Sequence, residues 1–185
     1  RCTEEMCKDS AFAISKYGTA EQLDSVGAKD LYAHYKKIIT SSQIDIFVAG
    51  EADCEKLTEE IKKYTEKLEF TEAVYEKQAA VSFDADTKNV TDKFEVTQGK
   101  LVIGYTTGIN ALSAEYPAML LADSIYGAGT FSKLFNNVRE KLSLAYYAAS
   151  RLNKYNGIVL VDAGIEFENF KKAYDEICLQ LKALK

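Results

Sequence analysis

The spacing of apolar positions changes several times along the chain, and each change marks a different element. Between Ala28 and Ile39, Leu31, Tyr35, Ile38 and Ile39 recur on one helical face, which predicts a helix leading into a turn at Ser41-Ser42. Upstream, Thr19-Ala20-Glu21-Gln22 has the Ser/Thr-then-Glu/Gln chemistry of a helix start. Ile44-Asp45-Ile46-Phe47-Val48-Ala49-Gly50 is a short β-branched and aromatic run closed by glycine, which predicts a strand. Asp53 then opens a charged amphipathic helix whose Leu57, Ile61, Tyr64 and Leu68 are expected to face inward. The first part of the chain therefore reads as a helix–strand–helix unit.

Residues 71–92 are polar and weakly periodic, as a linker or irregular edge between two lobes is. The expected division is residues 1–75 as the end of one lobe, 76–92 as linker and 93–185 as a second lobe. That lobe opens at Phe94, with Val96, Leu101, Ile103 and Tyr105 alternating as in one strand, or two meeting at Gln98-Gly99. Ala114–Tyr126 predicts a helix with Pro117 in its first turn and Gly127 as a left-handed cap, and a second short helix runs from Phe131 to Lys141. Two strands, 143–152 and 158–165, flank the hairpin loop Asn153-Lys154-Tyr155-Asn156-Gly157, and a long helix follows from Glu168. The fold class is α+β: an antiparallel or mixed sheet in each lobe, with helices packed on one face. A shared strand-then-helix logic in the two lobes hints weakly at duplication.

With 185 residues and 47% hydrophobic content, the chain can bury a core. Its net charge of −5, with lysines interleaved among acidic residues, provides no basic stripe for phosphates, so nucleic acid is not an expected partner. No apolar run approaches the ~20 residues of a membrane span, and the first residues lack the layout of a signal peptide, so a soluble, cytoplasmic protein without a membrane partner is expected. Cys2, Cys7, Cys54 and Cys178 lack CxxC spacing and read as reduced structural thiols, with a metal or redox role for Cys2 and Cys7 as the alternative. RCTEEMCK reads like the middle of a helix and DEICLQLKALK lacks a cap, so both ends are expected to be cut.

The candidate chemistry is sparse. A catalytic zinc needs three ligands and an open position, yet the only histidine is His34, without an HExxH or HxxEH partner. His34 reads as a helix-surface residue, and a hydroxyl or thiol nucleophile would lack a base. Gly127-Ala128-Gly129-Thr130 precedes a helix and reads as a connector, with anion binding as the alternative. Asp123, Glu140 and Glu166 are candidate acids or bases, against the reading that they are solvated surface carboxylates. The most informative stretch is Phe131–Tyr147, which places Arg139 and Tyr146 seven residues apart across a helix-to-strand junction. Together they can grip a peptide carbonyl and support an oxyanion formed elsewhere, or Arg139 can simply pair with a glutamate while Tyr146 packs.

The stretch GAGTFSKLFNNVREKLSLAYYAAS resembles the C-terminal-domain signature of the M16 (insulinase and processing-protease) peptidases, and Asp30-Leu31-Tyr32 through Gly50 resembles that family's upstream segment. Gln98-Gly99-Lys100-Leu101, Ser143–Tyr147 and Gly164–Asn169 are most similar to its bacterial YfmF-like branch, whose members often lack an intact HxxEH. The resemblance implies a LuxS/MPP-like metallohydrolase layer structure with two lobes. It also implies that Arg139 and Tyr146 contact peptide substrate bound at the zinc of another half. The zinc ligands and general-base glutamate would lie in a preceding domain or a partner subunit, so this region holds no metal, carries no catalytic residue and hydrolyses nothing alone. Whether the whole protein is an active peptidase stays open. The expected role is a substrate-binding, chamber-forming region, partnered by an N-terminal M16 domain or an M16 subunit; the alternative is a non-catalytic assembly module of a heteromeric peptidase-like complex.

Overall fold

The computed structural model describes residues 1–8, 10–71 and 87–184. The expected linker, 76–92, lies mostly outside these residues. The chain divides into two compact units, residues 15–77 and residues 1–14 with 78–185.

Helix α1, Cys2–Met6, belongs to the second unit; in the first unit, Thr19 and Gln22 form a reciprocal capping box that starts α2, Ala20–Ser25. Helix α3, Ala28–Ser41, follows, and α4, Cys54–Thr65, begins where the Asp53 carboxylate accepts from the Glu55 and Lys56 amides. The strand expected at 44–50 does not form: Ile44, Ile46 and Val48 are exposed, as is Phe47 at 93%, with no neighbouring strand among the described residues. An isolated extended segment has nothing to satisfy its ladder groups, so β-propensity alone does not make it a strand. For the same reason the inward faces expected of α3 and α4 are uncovered. Leu31, Tyr35, Ile38, Tyr64 and Leu68 are exposed, and only Ile39, Leu57 and Ile61 are half-buried.

The second unit is built on a three-stranded antiparallel sheet in the order β1-β3-β2, where β1 is Gly99–Thr106, β2 Ala145–Asn153 and β3 Ile158–Ile165. Pairing runs from Gly99↔Ile165 to Thr106↔Ile158 on one side and from Ala145↔Ile165 to Asn153↔Ile158 on the other. The β2–β3 hairpin turns through Gly157 at φ 65°, where a side chain would be strained and would also strike the Ile109 backbone. Residues 94–98 stay outside the ladder, so β1 is one strand and starts at Gly99.

One face of the sheet carries the core. Leu101, Val161, Ala163, Ile165 and Ala148 pack against Tyr126 of α5 (Tyr116–Tyr126), against Leu134 and Val138 of a π-helix (Leu134–Lys141), and against Ala173 and Ile177 of α6 (Phe170–Lys182). At ~25 cal/mol per Å² of apolar surface, each of these large side chains contributes roughly 1.5–3 kcal/mol. The buried Tyr126 hydroxyl donates to the Ile177 carbonyl at 3.1 Å, tying α5 to α6. The other face is not bare. Met6 of α1 lies over Gly104, where any side chain would overlap its sulfur.

Gly127 does not adopt the expected left-handed cap; its φ is −153°. Its function is close approach, since a Cβ there would stand 2.5 Å from the Ser150 amide nitrogen. That approach closes the outer edge of β2. The Ser150 amide donates to the Gly127 carbonyl at 3.0 Å, and the Leu152 amide donates to Asp123 Oδ2 at 3.2 Å. Asp123, 5% exposed, also accepts from the Ser150 hydroxyl at 2.6 Å. It is therefore not the solvated carboxylate its composition context suggests; it blunts a sheet edge that would otherwise be open to pairing. The glycine-bearing turn at 127–130 is a connector packed onto that edge.

Candidate functional site

The sequence around Arg139 and Tyr146 folds as it does because of how the π-helix stops. Ser143 takes a left-handed conformation at φ 49°, unusual for a residue with a Cβ. The Ser143 and Leu144 amides fold back onto the Arg139 and Val138 carbonyls at 3.1 and 2.9 Å. The chain then enters β2 through a bulge: Ala145 and Tyr147 pair with the consecutive residues Ile165 and Gly164, leaving Tyr146 as the extra residue. A bulge re-aims side chains. Here it leaves two successive tyrosines exposed, Tyr146 at 50%, while Ala148 and Ser150 keep the inward alternation.

The two tyrosines take separate carboxylates. Tyr146 donates its phenol proton to Glu166 Oε1 at 2.8 Å, and Tyr147 donates to Asp162 Oδ1 at 2.8 Å. The hydrogen bond to Glu166 holds the Tyr146 phenol above its ordinary value, with a Gln98 contact acting the other way. Burial, then the Asp162 hydrogen bond, push Tyr147 up to about 12. The Tyr147 ring lies where a side chain on Gly164 would be, so glycine on β3 is what allows the ring to cover the strand. Asp162, 18% exposed, also pairs with Lys100 and Arg151, each at 3.6 Å.

Tyr146 and Glu166 stand in a cleft of about 360 Å³ that is also lined by Thr97, Gln98, Phe167 and Glu168. Arg139 is elsewhere engaged. Its guanidinium pairs with Glu140 at 3.5 Å and stacks over the Phe135 ring at 4.6 Å. Among the described residues no hydrogen bond or ion pair joins Arg139 to Tyr146, so Arg139 shows the paired arrangement and Tyr146 the available one. Because the phenol proton is committed to Glu166, the exposed oxygen of Tyr146 is an acceptor first. Donation to a substrate carbonyl requires exchange of that partner.

Sequence reasoning singled out Arg139 and Tyr146 but did not anticipate Gln98, Phe167 and Glu168 beside Tyr146, or Asp162 beside Tyr147. It had Glu166 only as an isolated carboxylate. The available signal was the hairpin register: once β2 pairs antiparallel with β3, the start of one strand must lie beside the end of the other.

The zinc that the family resemblance implies does not fit these residues. His34 is exposed on α3, and among the described residues no three His, Cys, Asp or Glu side chains form a group able to hold a metal ion. The four cysteines are free thiols, with Cys2 Sγ 3.7 Å from Met6 Sδ. No described helix is long and apolar enough to cross a membrane.

Comparison with known proteins identifies the family. The chain is 39% identical over its whole length to the probable inactive metalloprotease YmfF of Bacillus subtilis (strain 168), and covers 43% of that protein. The expected branch thus carries the name YmfF, not YfmF. An uncharacterized zinc protease of Rickettsia felis is 28% identical over 96% of the chain, which covers 41% of it. The chain spans less than half the length of these relatives. A conserved protein from Enterococcus faecalis V583 has a solved structure that matches with a TM-score of 0.76 at 32% identity, over 98% of this chain and 43% of that one. A peptidase M16 inactive domain from Pseudomonas fluorescens shares the fold, with a TM-score of 0.74 at 20% identity over 98% of this chain and 46% of that one. The family described as Peptidase M16 inactive domain matches residues 25–185, and the chain belongs to it.

Proposed function

We propose that the chain is a substrate-binding, chamber-forming region of an M16-like protein, of LuxS/MPP-like two-lobed type, and performs no hydrolysis itself. The observation that carries this reading is the bulge at Tyr146, which turns a phenol that would continue the inward alternation into an exposed cleft beside Glu166. A polar cleft at the end of a sheet, with no group of three His, Cys, Asp or Glu side chains able to hold a metal ion among the described residues, supports a reading of holding a ligand rather than transforming it. Arg139 and Tyr146 are the proposed peptide contacts, Arg139 after exchanging Glu140 for a substrate carbonyl. An N-terminal M16 domain or an M16 partner subunit, in the cytoplasm, completes the chamber. Any zinc belongs to that partner and not to these residues.

The test is binding of labelled extended peptides by the full chain and by Arg139→Ala and Tyr146→Phe, followed by fluorescence anisotropy. Loss of one charge-assisted hydrogen bond weakens binding by roughly tenfold. Unchanged affinity in both variants refutes the contact role and leaves the assembly-module reading, for which the apolar groove between α5 and the end of α6, lined by Ala118, Leu121, Ile125 and Leu184, is the structural basis.

A further inference from the structure

Three sulfurs fall within α1 and its cap, where that helix lies over β1. Cys2 and Met6 stand four positions apart on α1, hence on one helical face, and Cys2 Sγ lies 3.7 Å from Met6 Sδ. Both sulfurs sit over Gly104, where a Cβ would overlap the Met6 sulfur and stand 3.1 Å from Cys2 Sγ. Cys7 follows Met6 as the cap of α1 and is wholly buried. Burial, then the charge of the neighbouring Cys2, hold the Cys7 thiol above its ordinary value, and burial raises Cys2 as well. The carboxylates of the same helix are engaged, since Glu4 and Glu5 both pair with Arg1. What α1 offers over Gly104 is therefore sulfur rather than oxygen.

We infer that Cys2, Met6 and Cys7 form a binding site for a soft monovalent metal ion, Cu(I). Two sulfurs each ~2.3 Å from a shared ion, at ~109° about it, stand ~3.8 Å apart, so Cys2 and Met6 are already at bridging distance. Thiolate and thioether together are the ligands of Cu(I); structural Zn²⁺ draws four ligands from Cys and His, and the single histidine, His34, belongs to the other unit. A disulfide is the competing use of two thiols. Five positions along a helix separate Cα atoms by ~8.7 Å, beyond the ~7 Å limit of a disulfide, whereas a bridging ion widens the link between sulfurs from ~2.05 to ~3.8 Å. Thiols raised by burial are also weak nucleophiles, but a coordinated ion displaces the thiol proton to solvent and binds the thiolate. Once bound, the ion stiffens α1 against Gly104 of β1.

The experiment titrates the full chain anaerobically into Cu(I) held by the coloured chelator bathocuproine disulfonate and follows the loss of chelate absorbance. The expected result is withdrawal of about one equivalent of Cu(I). Cys2→Ser, Met6→Leu and Cys7→Ser each weaken the site by roughly tenfold or more, whereas Cys54→Ser/Cys178→Ser leaves it unchanged. Met6→Leu conserves volume over Gly104, so its effect reports the lost thioether rather than lost packing. Copper X-ray absorption of the loaded wild-type chain, which needs no variant, is expected to show sulfur neighbours alone at ~2.3 Å. A chain that withdraws no Cu(I) overturns the site. So does binding that vanishes with Cys54 and Cys178, full affinity in Met6→Leu, or nitrogen and oxygen neighbours around the metal.

Discussion

Replacing Asp123 with alanine is the sharpest test of how the second unit is held together. The carboxylate is 5% exposed and receives two donors, the Ser150 hydroxyl at 2.6 Å and the Leu152 amide at 3.2 Å. Each hydrogen bond to a charged group contributes about 1.5–3 kcal/mol, and a buried donor left unpaired costs about 1–3 kcal/mol. Allowing for water entering the vacated space, the loss is roughly 3 kcal/mol, a large share of the ~5–15 kcal/mol that stabilises an ordinary domain. The melting temperature then falls by roughly 10 °C or more. Ser150→Ala removes one of the same bonds and costs about 1–2 kcal/mol, and the double variant is less destabilised than the sum by about 1 kcal/mol or more. Urea unfolding followed by far-ultraviolet circular dichroism and tyrosine fluorescence measures this, the chain having 12 tyrosines and no tryptophan. Hydrogen exchange at the Leu152 amide reports the edge itself. A cost below about 1 kcal/mol for Asp123→Ala, with strict additivity, refutes the claim that this carboxylate seals the β2 edge.

Two further outcomes follow from the same geometry. Gly127→Ala puts a methyl 2.5 Å from the Ser150 backbone nitrogen, which cannot move without opening the edge, so it destabilises by about 1–3 kcal/mol in the same urea assay; a stabilising effect would show that Gly127 is a flexible cap instead. Tyr105 and Tyr147 are both raised from 10 to about 12, chiefly by burial. A phenol that ionises less readily when folded contributes stability in full below pH 10, and that contribution is lost as pH rises toward 12. Denaturation midpoints measured between pH 8 and 12 should hold level to about 10 and then drop; a level profile to pH 12 contradicts the assigned burial.

The second unit was legible because its signals are local. Pro117, the alternation of 158–165 and the loop at 153–157 each mark their element within a few residues, and β3 begins and ends where alternation predicts. The strand expected at 44–50 shows the converse: Ile44, Ile46 and Val48 have strand propensity, but a strand exists only with a partner. Gly127 was read as a cap from its place after a helix, although its requirement comes from Ser150, 23 positions away, by close approach of the two backbones. Asp123 looked like any other carboxylate among the 28 acidic residues, because nothing nearby in sequence shows that it meets Ser150 and Leu152.

By itself the sequence determined the α+β class, the positions of β3, α3 and α5, and the family through the Phe131–Tyr147 stretch. Those depend on periodicity, turn chemistry and residue type, which act over one or two turns of chain. Only the tertiary structure decided that Tyr146 is lifted outward by a bulge, that its proton goes to Glu166, that Arg139 turns to Glu140, and that Glu168 and Phe167 complete a cleft. Register and side-chain partnership between strands are set by where distant segments meet, and no local pattern of hydrophobic and polar residues encodes that meeting.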